Sequence, residues 1–299
     1  MCGIAAVALG HRDRSRRTLD RIWDRFTTLF LCAQQRGLDA SGVAVLCTDG
    51  HLQVVKAPVE SIRLVRSTRY EGLRRLLPRA AVLLGHARHV TKGPVTNPDN
   101  NHPIFAGRHL GPDALVVGVH NGRVLNDDAL CEAHAVPRLA EVDSEVLFQL
   151  VAEAHQAPHP RERLRAVFEE LRGPTSGIWI LPGAPERCFI ARVGSPLAYA
   201  FDDAEDVVYM ASLQPHLAQL LGPGIEACTF SDDQIYRLDL TRPELGWPWE
   251  YSQARSFYSR ISELTFEDLR AIAQARAEWR VQDEALPEVP EALGRRVVD

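Results

Sequence analysis

The residue with the most chemistry at the start of the chain is Cys2, in the run Met1-Cys2-Gly3-Ile4. Removal of an initiating methionine is expected when the next residue is small, and it would leave Cys2 with a free α-amine. An α-amino group titrates at about 7.7 to 8.0, so near neutral pH it takes a thiol proton directly or through one water, making nucleophile and base parts of one residue. Taken by itself, Cys2 reads more readily as a small apolar residue leading into a buried strand. Other arrangements offer less. His86, His89, His102 and His120 are accompanied by no Cys-x-x-Cys or His-Glu-x-x-His spacing, so no metal site is expected. There is no Gly-x-x-x-x-Gly-Lys loop to cradle phosphates, and no cofactor is implied. Ser195 lacks the Gly-x-Ser-x-Gly spacing of a nucleophile elbow.

Cys2 is joined by an ordered set of short motifs. Arg36-Gly37-Leu38-Asp39-Ala40-Ser41-Gly42 comes first, then Gly85-His86-Ala87-Arg88-His89-Val90-Thr91-Lys92-Gly93, then His120-Asn121-Gly122, then Asp143-Ser144-Glu145-Val146. Farther on stand Leu171-Arg172-Gly173, Ala191-Arg192-Val193-Gly194-Ser195-Pro196-Leu197 and Tyr209-Met210-Ala211-Ser212. In order and separation the set resembles the class II glutamine amidotransferases, with the nearest likeness to the glutaminase domains of glucosamine-6-phosphate synthases. The likeness spans residues 2 to 240. Each motif alone is a weak signal; their order makes the pattern specific.

The resemblance implies an α+β fold, the four-layer αββα sandwich of N-terminal-nucleophile hydrolases. It also implies hydrolysis of the glutamine side-chain amide through a γ-glutamyl thioester on Cys2. Thiolate attack on that amide creates an oxyanion, which needs donors fixed before the reaction. Asn121 and the backbone N–H of Gly122 match the family's oxyanion hole, although an Asn-Gly pair is also a favoured turn. Arg88 matches the arginine that binds the substrate α-carboxylate, where a guanidinium fork permits a bidentate contact. Asp143 matches the acid that receives the α-ammonium, and it also stands where a helix cap or first-turn acid belongs. Thr91 keeps a family residue and is expected to donate to the substrate carboxylate. Arg36 and Asp39 are expected to form a buried pair bracing the nucleophile. Residues 88 to 96 correspond to a loop that closes over glutamine. Here His89 replaces a common tryptophan and Lys92 a histidine, so closure is where the pattern departs from the family.

These residues must be positioned by the elements between them. Gly3 to Leu9 is wholly apolar and reads as a strand buried on both faces. Leu19, Ile22, Trp23, Phe26, Leu29, Phe30 and Ala33 recur at helical spacing, which predicts an amphipathic helix over 16–35 closed by Gly37. Strands are expected over 42–47, 52–55, 81–85 and 114–119, and helices from Asp143 and over 160–171. Short strands then return from Gly177 to Leu240, interrupted by a helix over 215–221. Strands, helices and strands again suggest stacked layers. The domain is placed at residues 2–241. The extension 242–299 holds an aromatic segment at 247–258 and a helix over 265–281.

With 45% hydrophobic and 24% charged residues the composition is that of an ordinary globular chain, and a net charge of −5 gives no footprint for nucleic acid. The six cysteines are irregularly spaced, read as reduced thiols, and fit a cytoplasmic protein. No signal peptide or membrane span is visible. Residues 242–299 are too few for a second catalytic domain. The leading expectation is therefore a glutaminase that feeds ammonia to a separate synthase subunit, docking through 247–258 and 265–281. Packing of those aromatics back on the domain is an equal alternative. A stand-alone γ-glutamyl amide hydrolase and a catalytically silent module that retains the fold are the rival readings.

Overall fold

The apolar run Gly3–Leu9 is strand β1, buried along its length in the computed structural model, which describes residues 2–241 and 260–264. Ile4, Ala6 and Ala8 face one apolar layer, while Ala5, Val7 and Leu9 face another. A strand so rich in alanine lets two layers approach it closely. Helix α1 (Arg16–Ala33) follows, its start capped by the Ser15 hydroxyl, which accepts from the Thr18 amide at 3.2 Å. Its stripe of Ile22, Trp23, Phe26, Leu29 and Phe30 lies on the second layer, and each such side chain contributes about 1.5–3 kcal/mol when fully buried.

The chain continues through β2 (Ala40–Cys47), β3 (Leu52–Ala57), short helices α2 (Ser61–Val65) and α3 (Thr68–Glu71), β4 (Ala80–Arg88), β5 (Ile104–Ala106) and β6 (Val116–Gly122). Helices α4 (Asp127–Ala133), α5 (Asp143–Gln156) and α6 (Pro160–Glu170) come next. Then come β7 (Thr175–Ile180), β8 (Arg187–Val193), β9 (Ala198–Asp202), β10 (Val207–Ala211), α7 (Gln214–Leu221), β11 (Ala227–Thr229), β12 (Gln234–Asp239) and β13 (Arg260–Leu264).

The strands form two sheets, in the orders β11-β9-β10-β1-β4-β2-β3 and β13-β12-β8-β7-β6-β5. Every pairing is antiparallel except β12 with β13. Their inner faces meet in a core of Ile4, Val82 and Leu84 from the first sheet against Val117, Val119, Ile178 and Ile190 from the second. α1 and α7 cover the outside of the first sheet, and α5 and α6 cover the outside of the second. This is an α+β sandwich with layers in the order αββα.

The expected strands and helices among the described residues are present with ends shifted by a few residues, and β5, α2, α3, α4, β11 and β13 are additions to the sequence reading. The aromatic segment 247–258 and the helix expected over 265–281 lie outside the described residues. None of the six cysteines forms a disulfide. Among the described residues no helix is long and apolar enough to cross a membrane, and no group of three or more His, Cys, Asp and Glu side chains is placed to hold a metal ion.

Alternation along the strands places the candidate residues. Ile4 on β1, Leu84 on β4 and Val119 on β6 all point between the sheets. Stepping by two residues therefore aims Cys2, His86, Arg88 and Asn121 into the same gap. The register Gly3↔Ala87 sets Cys2 beside the end of β4. A hydrogen bond of 2.9 Å from His86 Nε2 to the His120 carbonyl ties β4 to the end of β6 across the sheets.

Candidate active site

Cys2 is half-buried at the lip of this gap and is held from several sides. Arg36 Nε donates to its carbonyl at 2.7 Å. The His89 amide donates to its Sγ at 3.4 Å, and the Sγ lies 3.5 Å from the His89 carbonyl. Gly3, the next residue, allows the end of α1 to pass close by, since a Cβ there would stand 2.3 Å from the Ala33 carbonyl oxygen. Burial pushes the Cys2 thiol above its ordinary value; the His89 N–H, the N-terminal charge and Arg88 pull it down, and Asp143 pushes it up. Burial thus favours the neutral thiol over the thiolate at this position.

Arg88 is buried at the end of β4, and burial lowers its pKa against the opposing pull of Cys2, Asp39 and Asp143. Its guanidinium donates to Asn101 Oδ1 (2.7 Å) and to the carbonyls of Lys92 (2.6 Å) and Gly93 (2.7 Å). The loop after β4 is therefore wrapped around the cation expected to hold the substrate carboxylate. Asp143, also buried, is the first residue of α5. The cap position belongs to Val142, which makes no side-chain cap bond, so of the two placements expected for Asp143 the structure has the first-turn acid and not the cap. Its carboxylate instead accepts from the Val124 amide at 2.7 Å, fixing the turn that follows Gly122.

Asn121 is buried with Nδ2 2.6 Å from Ser212 Oγ, while its Oδ1 has no protein partner. Gly122 is exposed with φ 123°, and an added Cβ would lie 1.9 Å from the Pro174 carbonyl oxygen. Only glycine suits that backbone. The arrangement gives the Asn-Gly pair a side-chain amide aimed into the gap and a main chain open to approach.

Arg36 and Asp39 do not form the expected buried pair. Asp39 is exposed; its carboxylate accepts from the Val90 amide at 2.7 Å and stands 3.4 Å from His89 Nδ1. Arg36 supports the nucleophile and Asp39 supports the loop. Thr91 is exposed and lines a 720 Å³ cleft bounded by Val90–Pro94 on one side and Arg138–Glu141 on the other. The far wall is fastened by Glu145, which accepts from the Leu139 and Ala140 amides at 2.7 and 2.9 Å.

The two departures from the family pattern have distinct surroundings. His89 meets Cys2 through its backbone only, with its ring turned to Asp39. Lys92 Nζ reaches Asp127 (2.6 Å) and Asp128 (2.9 Å) at the start of α4, and Arg138 binds the same carboxylates at 2.5 and 3.1 Å. Burial would lower the Lys92 pKa, but the two carboxylates outweigh it and raise it. Sequence reasoning gave no role to Ser212 or His86, although both lie in the quoted motifs, and none to Asn101. A serine just after a strand carries no spacing signal, and His86 and His102, whose rings stack at 4.0 Å, read from sequence only as a weak metal cluster.

Several curated proteins are similar to this chain. The glutamine–fructose-6-phosphate aminotransferase (isomerizing) of Streptomyces coelicolor is 31% identical over 211 residues, covering 69% of this chain and 31% of that protein. The proteins of the same name from Aeropyrum pernix and Zymomonas mobilis are 30% and 31% identical over 212 and 228 residues, covering 70% and 74% of this chain and 31% and 33% of theirs. The chain thus spans about a third of the length of these relatives. No family model matches it. The backbone resembles that of glutamine phosphoribosylpyrophosphate amidotransferase from B. subtilis, with a TM-score of 0.59 and 16% identity, covering 80% of this chain and 47% of that one. A structure described as the allosteric regulatory enzyme of purine biosynthesis gives a TM-score of 0.58 at 16% identity, with the same coverage of 80% and 47%. At that identity the likeness is one of fold.

Proposed function

We propose that this chain, which belongs to the class II glutamine amidotransferase family, hydrolyses the side-chain amide of glutamine with Cys2 as nucleophile. The observation that carries this reading is the convergence of Cys2, just before β1, with Arg88 of β4, Asn121 of β6 and Asp143 of α5 on one end of the gap between the sheets. After loss of Met1, glutamine docks with its α-carboxylate toward Arg88 and Thr91 and its α-ammonium toward Asp143. Cys2 Sγ bonds to the side-chain carbonyl carbon as the Cys2 α-amine takes the thiol proton. Asn121 Nδ2–H and the Gly122 N–H donate to the oxyanion. The C–N bond then breaks, the ammonium returns its proton to the leaving nitrogen, and ammonia departs. Water, deprotonated by the same amine, adds to the thioester; collapse expels the thiolate, which regains the proton, and glutamate is released.

The ammonia acceptor in this reading is a synthase partner on a separate chain. The relatives' names speak of an amino group passing from glutamine to a sugar phosphate. Exposed apolar side chains stand around the site: Leu38 beside the Asp39 brace, Val90 and Leu139 on the cleft walls, and Leu125 just beyond Val124. They would suit a partner seated over the site.

The test is ammonia release from glutamine by the purified protein, with intact mass to establish loss of Met1. Labelling by 6-diazo-5-oxo-norleucine should map to Cys2, and Cys2→Ala should abolish both labelling and release. Labelling at Cys32 or Cys47, or release unchanged by Cys2→Ala, would sink the reading.

A further inference from the structure

Ser212 is buried immediately after β10 and joins both halves of the reacting centre. Its backbone N–H donates to the Ile4 carbonyl at 3.0 Å, and its Oγ accepts from the Ile4 amide at 2.7 Å. The same Oγ lies 2.6 Å from Asn121 Nδ2. Ile4 belongs to the strand that carries the nucleophile, in the first sheet, and Asn121 belongs to the second. One hydroxyl therefore links the two sheets where thiol and oxyanion donor must be kept in register.

The asparagine amide needs such a tether. The terminal torsion of asparagine is broad, so the backbone does not fix where its N–H groups point. Asn121 Oδ1 is buried without a protein partner, which leaves Ser212 Oγ as the polar contact orienting the amide among the described residues. Because the amide is planar, holding one N–H on Ser212 fixes the direction of the other. Turned the other way, with the Ser212 hydroxyl donating to Oδ1, the amide would present both N–H groups to the gap. In either orientation the hydroxyl decides where the donor points.

From this geometry, and resting on the glutamine-hydrolysis reading above, we infer that Ser212 is a positioning residue: it sets the Asn121 amide for the oxyanion and locks it to the strand of Cys2. It does not touch substrate. Its contribution should appear where negative charge develops on oxygen and nowhere else.

The test compares wild type, Ser212→Ala, Asn121→Ala and the double variant. Two readouts are taken: kcat and KM for ammonia release, and the rate at which iodoacetamide alkylates Cys2. Removal of a preset oxyanion donor lowers kcat by about a hundred- to a thousandfold, which is expected of Asn121→Ala. Ser212→Ala should lower kcat by roughly ten- to a hundredfold with KM changed less than about twofold, as for an interaction made only in the transition state. The double variant should match Asn121→Ala within about threefold, because the serine acts through the asparagine. Alkylation displaces iodide at a saturated carbon and builds no oxyanion, so all four proteins should alkylate within about threefold of one another. Ser212→Ala turnover equal to wild type, a further loss multiplied onto Asn121→Ala, or a parallel fall in alkylation each overturns the inference while leaving glutamine hydrolysis standing. A wild-type protein that releases no ammonia overturns both.

Discussion

The amide nitrogen of His89 lies 3.4 Å from Cys2 Sγ, so the loop residue that departs most from the family pattern reaches the nucleophile through its main chain. The ring is turned away, toward Asp39 at 3.4 Å. Identity at position 89 should therefore matter little so long as the N–H remains. His89→Ala is expected to keep kcat/KM within about threefold, as befits the loss of one exposed contact. His89→Pro removes the donor that pulls the thiol pKa down. The pH at which iodoacetamide alkylation of Cys2 reaches half its maximum should rise in His89→Pro and stay in place in His89→Ala. An equal shift in both would mean that the ring, not the backbone, is what Cys2 senses.

Lys92 fastens the same loop from outside. Its ammonium sits between Asp127 and Asp128 and shares them with Arg138, while Arg88 grips the Lys92 and Gly93 carbonyls from inside. The four side chains range from nearly buried Asp127 to exposed Asp128, so the attraction is partly screened by solvent and salt. Lys92→Met keeps the stem and removes the charge. A loop released by loss of about 0.3–1 kcal/mol should raise KM for glutamine about two- to fivefold with kcat little changed. The wild-type KM should itself rise with ionic strength, and that salt dependence should weaken in the variant. Identical salt dependence in the two proteins would show that the ion pairs do not hold the loop closed.

Much of this site could be read from residue order because its parts lie at strand and helix ends that pattern alone reveals. Cys2 precedes an all-apolar strand, Asn121-Gly122 ends another, and Asp143 opens a helix whose apolar face is plain in Val146, Leu147 and Leu150. What stayed hidden depends on contacts distant in sequence between residues with no periodic signal. Ser212 meets Ile4 across 208 positions and Asn121 across 91. The buried pair expected of Arg36 and Asp39 failed because the turn between them directs one side chain to Cys2 and the other to Val90. Strand β5 has three residues and α4 seven, too short for periodicity to stand out from a loop.

Buried and half-buried histidines should make the fold sensitive to acid, and the half-buried His155 gives the cleanest measure. The Trp179 indole N–H donates to His155 Nε2 at 3.0 Å, which requires the neutral imidazole. Burial, with help from Arg187, lowers the His155 pKa to about 4. His86, bonded to the His120 carbonyl, is lowered by burial to about 3. A histidine whose folded pKa lies below its unfolded value of about 6.5 contributes stability that is fully present above 6.5. Below that pH the unfolded chain binds the proton first, and stability falls by roughly 1.4 kcal/mol per pH unit per histidine until the folded pKa is reached. For His155 the window runs from about 6.5 down to about 4. His155→Gln offers the indole an acceptor in its side-chain carbonyl but cannot titrate. Urea unfolding of wild type should show stability dropping through this window, and the variant should drop less steeply by about one proton's worth. At pH 7.5 the two should lie within about 1 kcal/mol, the scale of one rearranged hydrogen bond. Parallel curves from pH 7 to pH 4 would mean that His155 takes up its proton without losing the indole.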